Sequence, residues 1–279
     1  MPSGRSVSTM TERSHLRLDC RDRAVRLQID GRALLCLAGE TVLARHPLHR
    51  LHRISLRGDV MVHVEALAAL SGAGIPLAVL AGDGTTAALA PPRWRRPSSL
   101  GAELQRLTSP QAAPLVEDWR LAEISRHARA LRLGDPAGAA RAGWHAPELL
   151  LRASQPEATG ATARRMVNEA ISFCRLLGLR VLGDAGVPTC WLDGGASGHP
   201  DLCEAVAQIA LWRLLRLVTP RRGRGTVAGA LRQGRQGWQR NLATLAEGLR
   251  PALATALARD LHRFHLHLID MRSDSAWHG

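Results

Sequence analysis

A chain of 279 residues exceeds the usual single-domain size, so two domains with separate cores are expected. Its 46% hydrophobic and 22% charged residues are those of a globular protein, and no apolar run reaches the length of a membrane helix, which excludes a membrane-spanning chain. The net charge of +13, with 37 basic residues that are all Arg, points to a polyanion, with nucleic acid ahead of an acidic protein or a membrane surface.

A GC-rich genome accounts for the absence of Lys but not for the surplus of charge. Residues 1–14 are polar, contain Arg5 and Arg13 and lack an apolar stretch, so they read as a disordered start without a secretory signal. The five cysteines, Cys20, Cys36, Cys174, Cys190 and Cys203, are odd in number, scattered and mostly flanked by apolar residues. They read as small core residues of a protein in a reducing cytoplasm.

Residues 15–90 read as a mostly antiparallel β domain. The alternation in Ala24–Ile29 before Asp30 and Gly31 predicts a half-buried strand and a hairpin turn. Further strands are expected at Ala33–Ala38, Glu40–Leu43, Ile54–Leu56, Val60–Val62 and Leu77–Leu80, with one short helix over Val64–Ser71 and a turn at Gly82-Asp83-Gly84. Residues 91–100, with prolines at 91, 92 and 97, form a linker. Residues 101–279 then read as a mostly α-helical domain, giving an α+β chain, with helices at Pro114–Leu133, Pro147–Ser154, Thr162–Asp184, Leu202–Val218, Thr226–Arg232 and Leu242–Met271.

Asp201 and Glu204 are three apart at the start of a predicted helix and share a face. Such a pair can hold a hard divalent cation, or it can cap the helix, with Asp201 accepting backbone N–H groups and Glu204 meeting the dipole. Spacing alone favours the cap. The densest basic stretch, Arg213, Arg216, Arg221, Arg222, Arg224, Arg232, Arg235 and Arg240, is interleaved with glycines that let backbone approach a phosphate chain. In the linker, Trp94 among Arg93, Arg95 and Arg96 pairs an aromatic platform with guanidinium groups. His262, His265 and His267, and His46, His49, His52 and His63, lack partners at zinc spacing and read as surface or half-buried residues.

The order of parts resembles the CRISPR spacer-acquisition integrases. Ile54-Ser-Leu-Arg-Gly58-Asp-Val60-Met-Val62 is similar to a strand motif of that family, and Gly74-Ile-Pro-Leu77 to a second element. Val167-Asn168-Glu-Ala-Ile171-Ser172 resembles its asparagine helix, and Asp201-Leu202-Cys203-Glu204 its acidic helix.

The resemblance implies a cytoplasmic, DNA-binding, metal-dependent nuclease and integrase. It would insert foreign DNA into a CRISPR array as a homodimer joined through the β domain, with double-stranded or branched DNA and a small second acquisition protein as partners. It implies that a Glu, a His and an acidic residue hold Mg²⁺ or Mn²⁺. Glu204 matches the acidic ligand, Asp201 its neighbour, and Asp193 of Trp191-Leu192-Asp193-Gly194 the His position by motif register, whereas the usual loop length puts Trp191 there. The upstream Glu is replaced by Gln155 in one matching segment and by Ala in Pro136–Arg141, with Glu148 and Glu157 as nearby substitutes. A catalytically inactive DNA-binding or scaffold homologue is the alternative.

Overall fold

The computed structural model describes residues 14–91, 98–153, 160–192, 198–218 and 235–276. Six strands form one sheet in the order β3-β2-β1-β4-β5-β6, where β1 is Ser14–Asp30, β2 Ala33–Ala38, β3 Thr41–Pro47, β4 Leu51–Val62, β5 Leu77–Leu80 and β6 Thr86–Ala90. The alternation in β1 buries Val25 and Leu27, and Gly31 at φ 59° makes the turn into β2. The outer pairings are antiparallel, but β4 runs parallel to both β1 and β5, so the sheet is mixed. The parallel step from β4 to β5 passes through helix α1 (Val64–Gly72), which buries Ala66 and Leu70 in one cluster with Leu27, Ile54, Leu56 and Leu77. β4 is continuous through Gly58, at φ 90°, where an added Cβ would lie 2.5 Å from the Cys20 carbonyl carbon. Opposite it the β1 register slips between Cys20 and Val25, so only glycine fits that bulge.

Seven helices follow among the described residues: α2 (Ser99–Arg106), α3 (Ser109–Ala130), α4 (Pro136–Arg141), α5 (His145–Ala153), α6 (Gly160–Asp184), α7 (Leu202–Val218) and α8 (Arg235–Ala276). Helix α3 starts earlier than its apolar spacing suggests, because Gln111 Oε1 accepts from the Thr108 amide and hydroxyl in a capping box. Helix α7 is apolar on nearly every face, from Leu202 through Leu215, and forms the centre of the helical core. Trp119 of α3 stacks on Phe264 of α8 at 4.7 Å beside it. Among the described residues no helix is long and apolar enough to cross a membrane. The five cysteines are free thiols, and burial pushes Cys36 up to about 11.

The sheet and the helices meet along α6. Asn168 Nδ2 donates to the Asp83 carbonyl at 3.0 Å, and Ser172 Oγ donates to the Gly84 carbonyl at 3.1 Å. The Thr86 and Ser172 hydroxyls lie 2.8 Å apart, and Glu169 pairs with Arg17 at 3.1 Å and Arg57 at 3.6 Å. The buried Arg53 guanidinium of β4 sits 4.1 Å from the centroid of Phe173. The polar face of the asparagine helix is therefore used to dock the turn between β5 and β6.

Candidate functional site

Asp201 and Glu204 lie together at the start of α7. Asp201 is its N-cap: Oδ1 accepts the Glu204 amide at 3.0 Å, satisfying a donor that has no partner within the helix. Burial pushes the Asp201 carboxyl above its ordinary value, with the nearby Glu204 charge adding to the rise and hydrogen bonds from the Glu204 and Cys203 amides opposing it.

Glu204 is held by side chains from α6, from the turn between α4 and α5, and from its own helix. Arg175 of α6 donates to Glu204 Oε2 through Nε at 3.0 Å and Nη2 at 2.9 Å. Trp144 Nε1 donates to Oε1, and Gln208 Nε2, one turn along α7, lies 3.4 Å from the same oxygen. The Arg175 guanidinium also sits 5.5 Å from the centroid of the Trp144 ring. Behind this set, Gln208 Oε1 accepts from Arg120 Nη1 at 2.6 Å, and Arg120 is forked onto Glu117 at 2.8 and 2.6 Å. The chain of contacts ties α7 to α3, to α6 and to the turn between α4 and α5.

A divalent cation does not fit this arrangement as it stands. Both Glu204 oxygens are engaged, one Asp201 oxygen caps α7, and a guanidinium lies where a cation would have to approach. Like charges about 4 Å apart at an effective dielectric near 20 repel by about 4 kcal/mol per unit pair, so a doubly charged ion beside Arg175 meets roughly twice that before screening. A metal must displace Arg175 to reach Glu204.

Asp193 lies outside the described residues, as do Gln155 and Glu157. Trp191 is fully buried and stacks on His199 at 5.0 Å, while Glu148 is half-buried on α5. The Pro136–Arg141 segment forms α4, started by Asp135, whose Oδ1 accepts the Gly138 amide at 2.8 Å. Arg93, Arg95, Arg96, Arg221, Arg222, Arg224 and Arg232 lie outside the described residues, and Arg235 and Arg240 fall within α8. His262 and His265 line a crevice of about 480 Å³ with Ser98 and Asp184.

Sequence reasoning did not single out Arg175, Trp144, Gln208 or Arg120. A signal for Arg175 was present, since it stands seven residues after Asn168 and so on the same face of α6. Another group also went unnoticed. Glu123 and His127 of α3 and Asp260 of α8 bring their ligand-type atoms within 4.8 Å of one another, and they are the one set of three such residues gathered this closely among the described residues.

No protein-family model and no curated protein sequence matches the chain. Solved structures do. A CAS1 protein from Thermotoga maritima matches with a TM-score of 0.64 at 12% identity, over 92% of this chain and 97% of that one. A casposase bound to its integration product matches with a TM-score of 0.58 at 12% identity, over 91% of each chain. The DNA complex of TtCas1 gives a TM-score of 0.54 at 11% identity, over 90% of this chain and 91% of that one. The chain has a Cas1-like fold, at 11 to 12% identity to these structures.

Proposed function

We propose that this chain is a DNA-binding protein of CRISPR spacer acquisition that works by holding DNA, its acidic centre having been turned from a metal site into a structural ion pair. The observation that carries this reading is the two-nitrogen grip of Arg175 on Glu204, next to an Asp201 spent as a helix cap. A guanidinium there supplies the positive charge that a cation would otherwise bring, but it cannot activate water or a 3′-hydroxyl as a bound metal does.

DNA as the partner is supported by the net charge of +13 and by the fold, which is shared with a casposase on its integration product and with a Cas1 protein on DNA. Double-stranded or branched DNA fits best, gripped by the arginine-rich segment around Arg221, Arg222, Arg224, Arg232, Arg235 and Arg240 and by Arg93, Arg95 and Arg96. The sheet unit carries exposed Val42, Leu43, Met61 and Val64, a surface suited to pairing with a second copy. A solved complex of this fold pairs Cas1 with Cas2, which supports a small second acquisition protein as the further partner.

The rival reading is an active integrase in which Asp193, Asp201 and Glu204 hold Mg²⁺ or Mn²⁺ after Arg175 withdraws. The DNA-binding reading is tested by mobility shift of duplex and branched DNA with the purified protein. A shift at low salt that weakens steeply as salt rises is the expected result, and no shift at any salt overturns the proposal.

A further inference from the structure

The group of Glu123, His127 and Asp260 is buried, at 2%, 1% and 1% exposure, and neither ring nitrogen of His127 has a hydrogen-bond partner. A divalent cation is the first occupant to consider, and the charge count argues against it. Arg126 Nη1 lies 2.9 and 2.7 Å from the two Glu123 oxygens. Arg263 Nη2 reaches the same oxygens at 3.2 and 3.3 Å and also donates to Asp260 Oδ1. Arg213 of α7 clamps Asp260 through Nε at 2.6 Å and Nη2 at 2.5 Å. Three guanidinium groups against two carboxylates leave the cluster positive before any metal arrives, and the carboxylate oxygens are already accepting.

The same count favours an anion. The Arg126 and Arg263 side chains are 51% and 44% exposed, and each turns one terminal nitrogen inward. Among the described residues nothing accepts from their Nε or their other Nη. Arg216, exposed and one turn beyond Arg213 on α7, pairs with no described carboxylate. The excess charge registers on His127, whose pKa falls to about 3, through burial first and then through Arg213, Arg216, Arg126 and Arg263. The ring is therefore neutral near pH 7 and packs without adding charge.

We infer that Arg126, Arg216 and Arg263, from three helices, form a clasp for the phosphate backbone of DNA, with Glu123 and Asp260 bracing two of the three from beneath. Guanidinium forks match phosphate bidentately, and a fork already fixed by a buried carboxylate loses less freedom on binding. Contacts of this kind position DNA without reading its sequence. The inference rests on the DNA-binding reading, and it locates part of that surface, at Arg216, about 18 Å along α7 from Glu204.

The test is fluorescence anisotropy of a labelled duplex titrated with full-length protein over a salt series. Because stripping charge beside buried carboxylates can unfold the protein, the first variant is Arg126→Lys/Arg263→Lys, which keeps both positive charges beside Glu123 and Asp260 and loses the forks. Its affinity should fall roughly tenfold with the salt slope unchanged. Arg216→Gln should lower the slope of log affinity against log salt by about one. Arg45→Gln, on the far edge of the sheet, is the surface control and should move neither quantity. If the parent binds DNA and the clasp variants match Arg45→Gln, the clasp is overturned while DNA binding stands. If the parent does not bind, both fall together.

Discussion

Arg175 and Glu204 face each other across α6 and α7, with Nε and Nη2 of the guanidinium at 3.0 and 2.9 Å from one carboxylate oxygen. The pair stands near the surface, with side chains 25% and 30% exposed, so it is reachable from solvent and yet closed to a cation by its own charge. This contact is what the ion-pair reading of the acidic motif rests on. With Arg175 in place, both Glu204 oxygens are already accepting hydrogen bonds.

It follows that the parent protein should give no specific Mn²⁺ binding in an electron paramagnetic resonance titration. Arg175→Ala frees Glu204 Oε2, so that variant should gain weak binding that a further Glu204→Gln change removes. Tight Mn²⁺ binding by the parent, lost in Glu204→Gln alone, would show that the guanidinium yields to metal.

The contacts of Asn168 and Ser172 with the turn at Asp83 and Gly84 predict a purely structural phenotype. Ser172 is buried, and Ser172→Ala leaves the Gly84 carbonyl without that donor, at a cost of about 1 to 3 kcal/mol. Urea unfolding should register the loss, with DNA affinity in the folded protein unchanged. A variant of parental stability that binds DNA poorly would place Ser172 in the DNA surface instead.

His127 sets a pH dependence. Its pKa is lowered from 6.5 to about 3 in the fold, so below pH 6.5 the unfolded chain takes up a proton that the folded chain refuses. Stability contributed by the neutral ring is fully present above pH 6.5 and is lost as pH falls toward 3, at about 1.4 kcal/mol per pH unit. His15, lowered to about 2 by burial and by the neighbouring Arg53, acts with the same sign. His127→Leu should flatten the slope of unfolding free energy against pH between 6 and 4 by about one proton equivalent. Parallel slopes for parent and variant would mean that His127 titrates normally.

Much of the fold was legible in local pattern. Helix α7 runs over Leu202–Val218 and β2 over Ala33–Ala38, as their apolar runs and bounding turn residues indicate. β4 reads as two short strands because Gly58 interrupts the apolar sequence, whereas the chain continues through it by adopting a positive φ. Helices α2 and α4 escaped notice because they are short and begin among Ser, Asp and Pro, which signal loops as readily as caps. The parallel pairing of β4 with β1 and β5 depends on partners 23 or more residues away, which no local period encodes.

At the site, Asp201 and Glu204 were visible because capping is a local matter, and the cap reading of Asp201 stands. What Glu204 touches was not visible. Arg175 comes from α6 and Trp144 from the turn between α4 and α5, and only tertiary packing against α7 brings them to it. Likewise Glu123 and Asp260 are 137 residues apart in sequence and meet through the packing of α3 on α8.

The most direct test of the central claim is strand transfer and nicking of a fluorescent branched DNA, with and without Mn²⁺, by the parent and by Asp201→Ala/Glu204→Ala. The account predicts that the parent binds the DNA and forms no product in either condition. Mn²⁺-dependent product made by the parent and absent from the double variant would contradict it, and would mean that the acidic centre still performs metal chemistry.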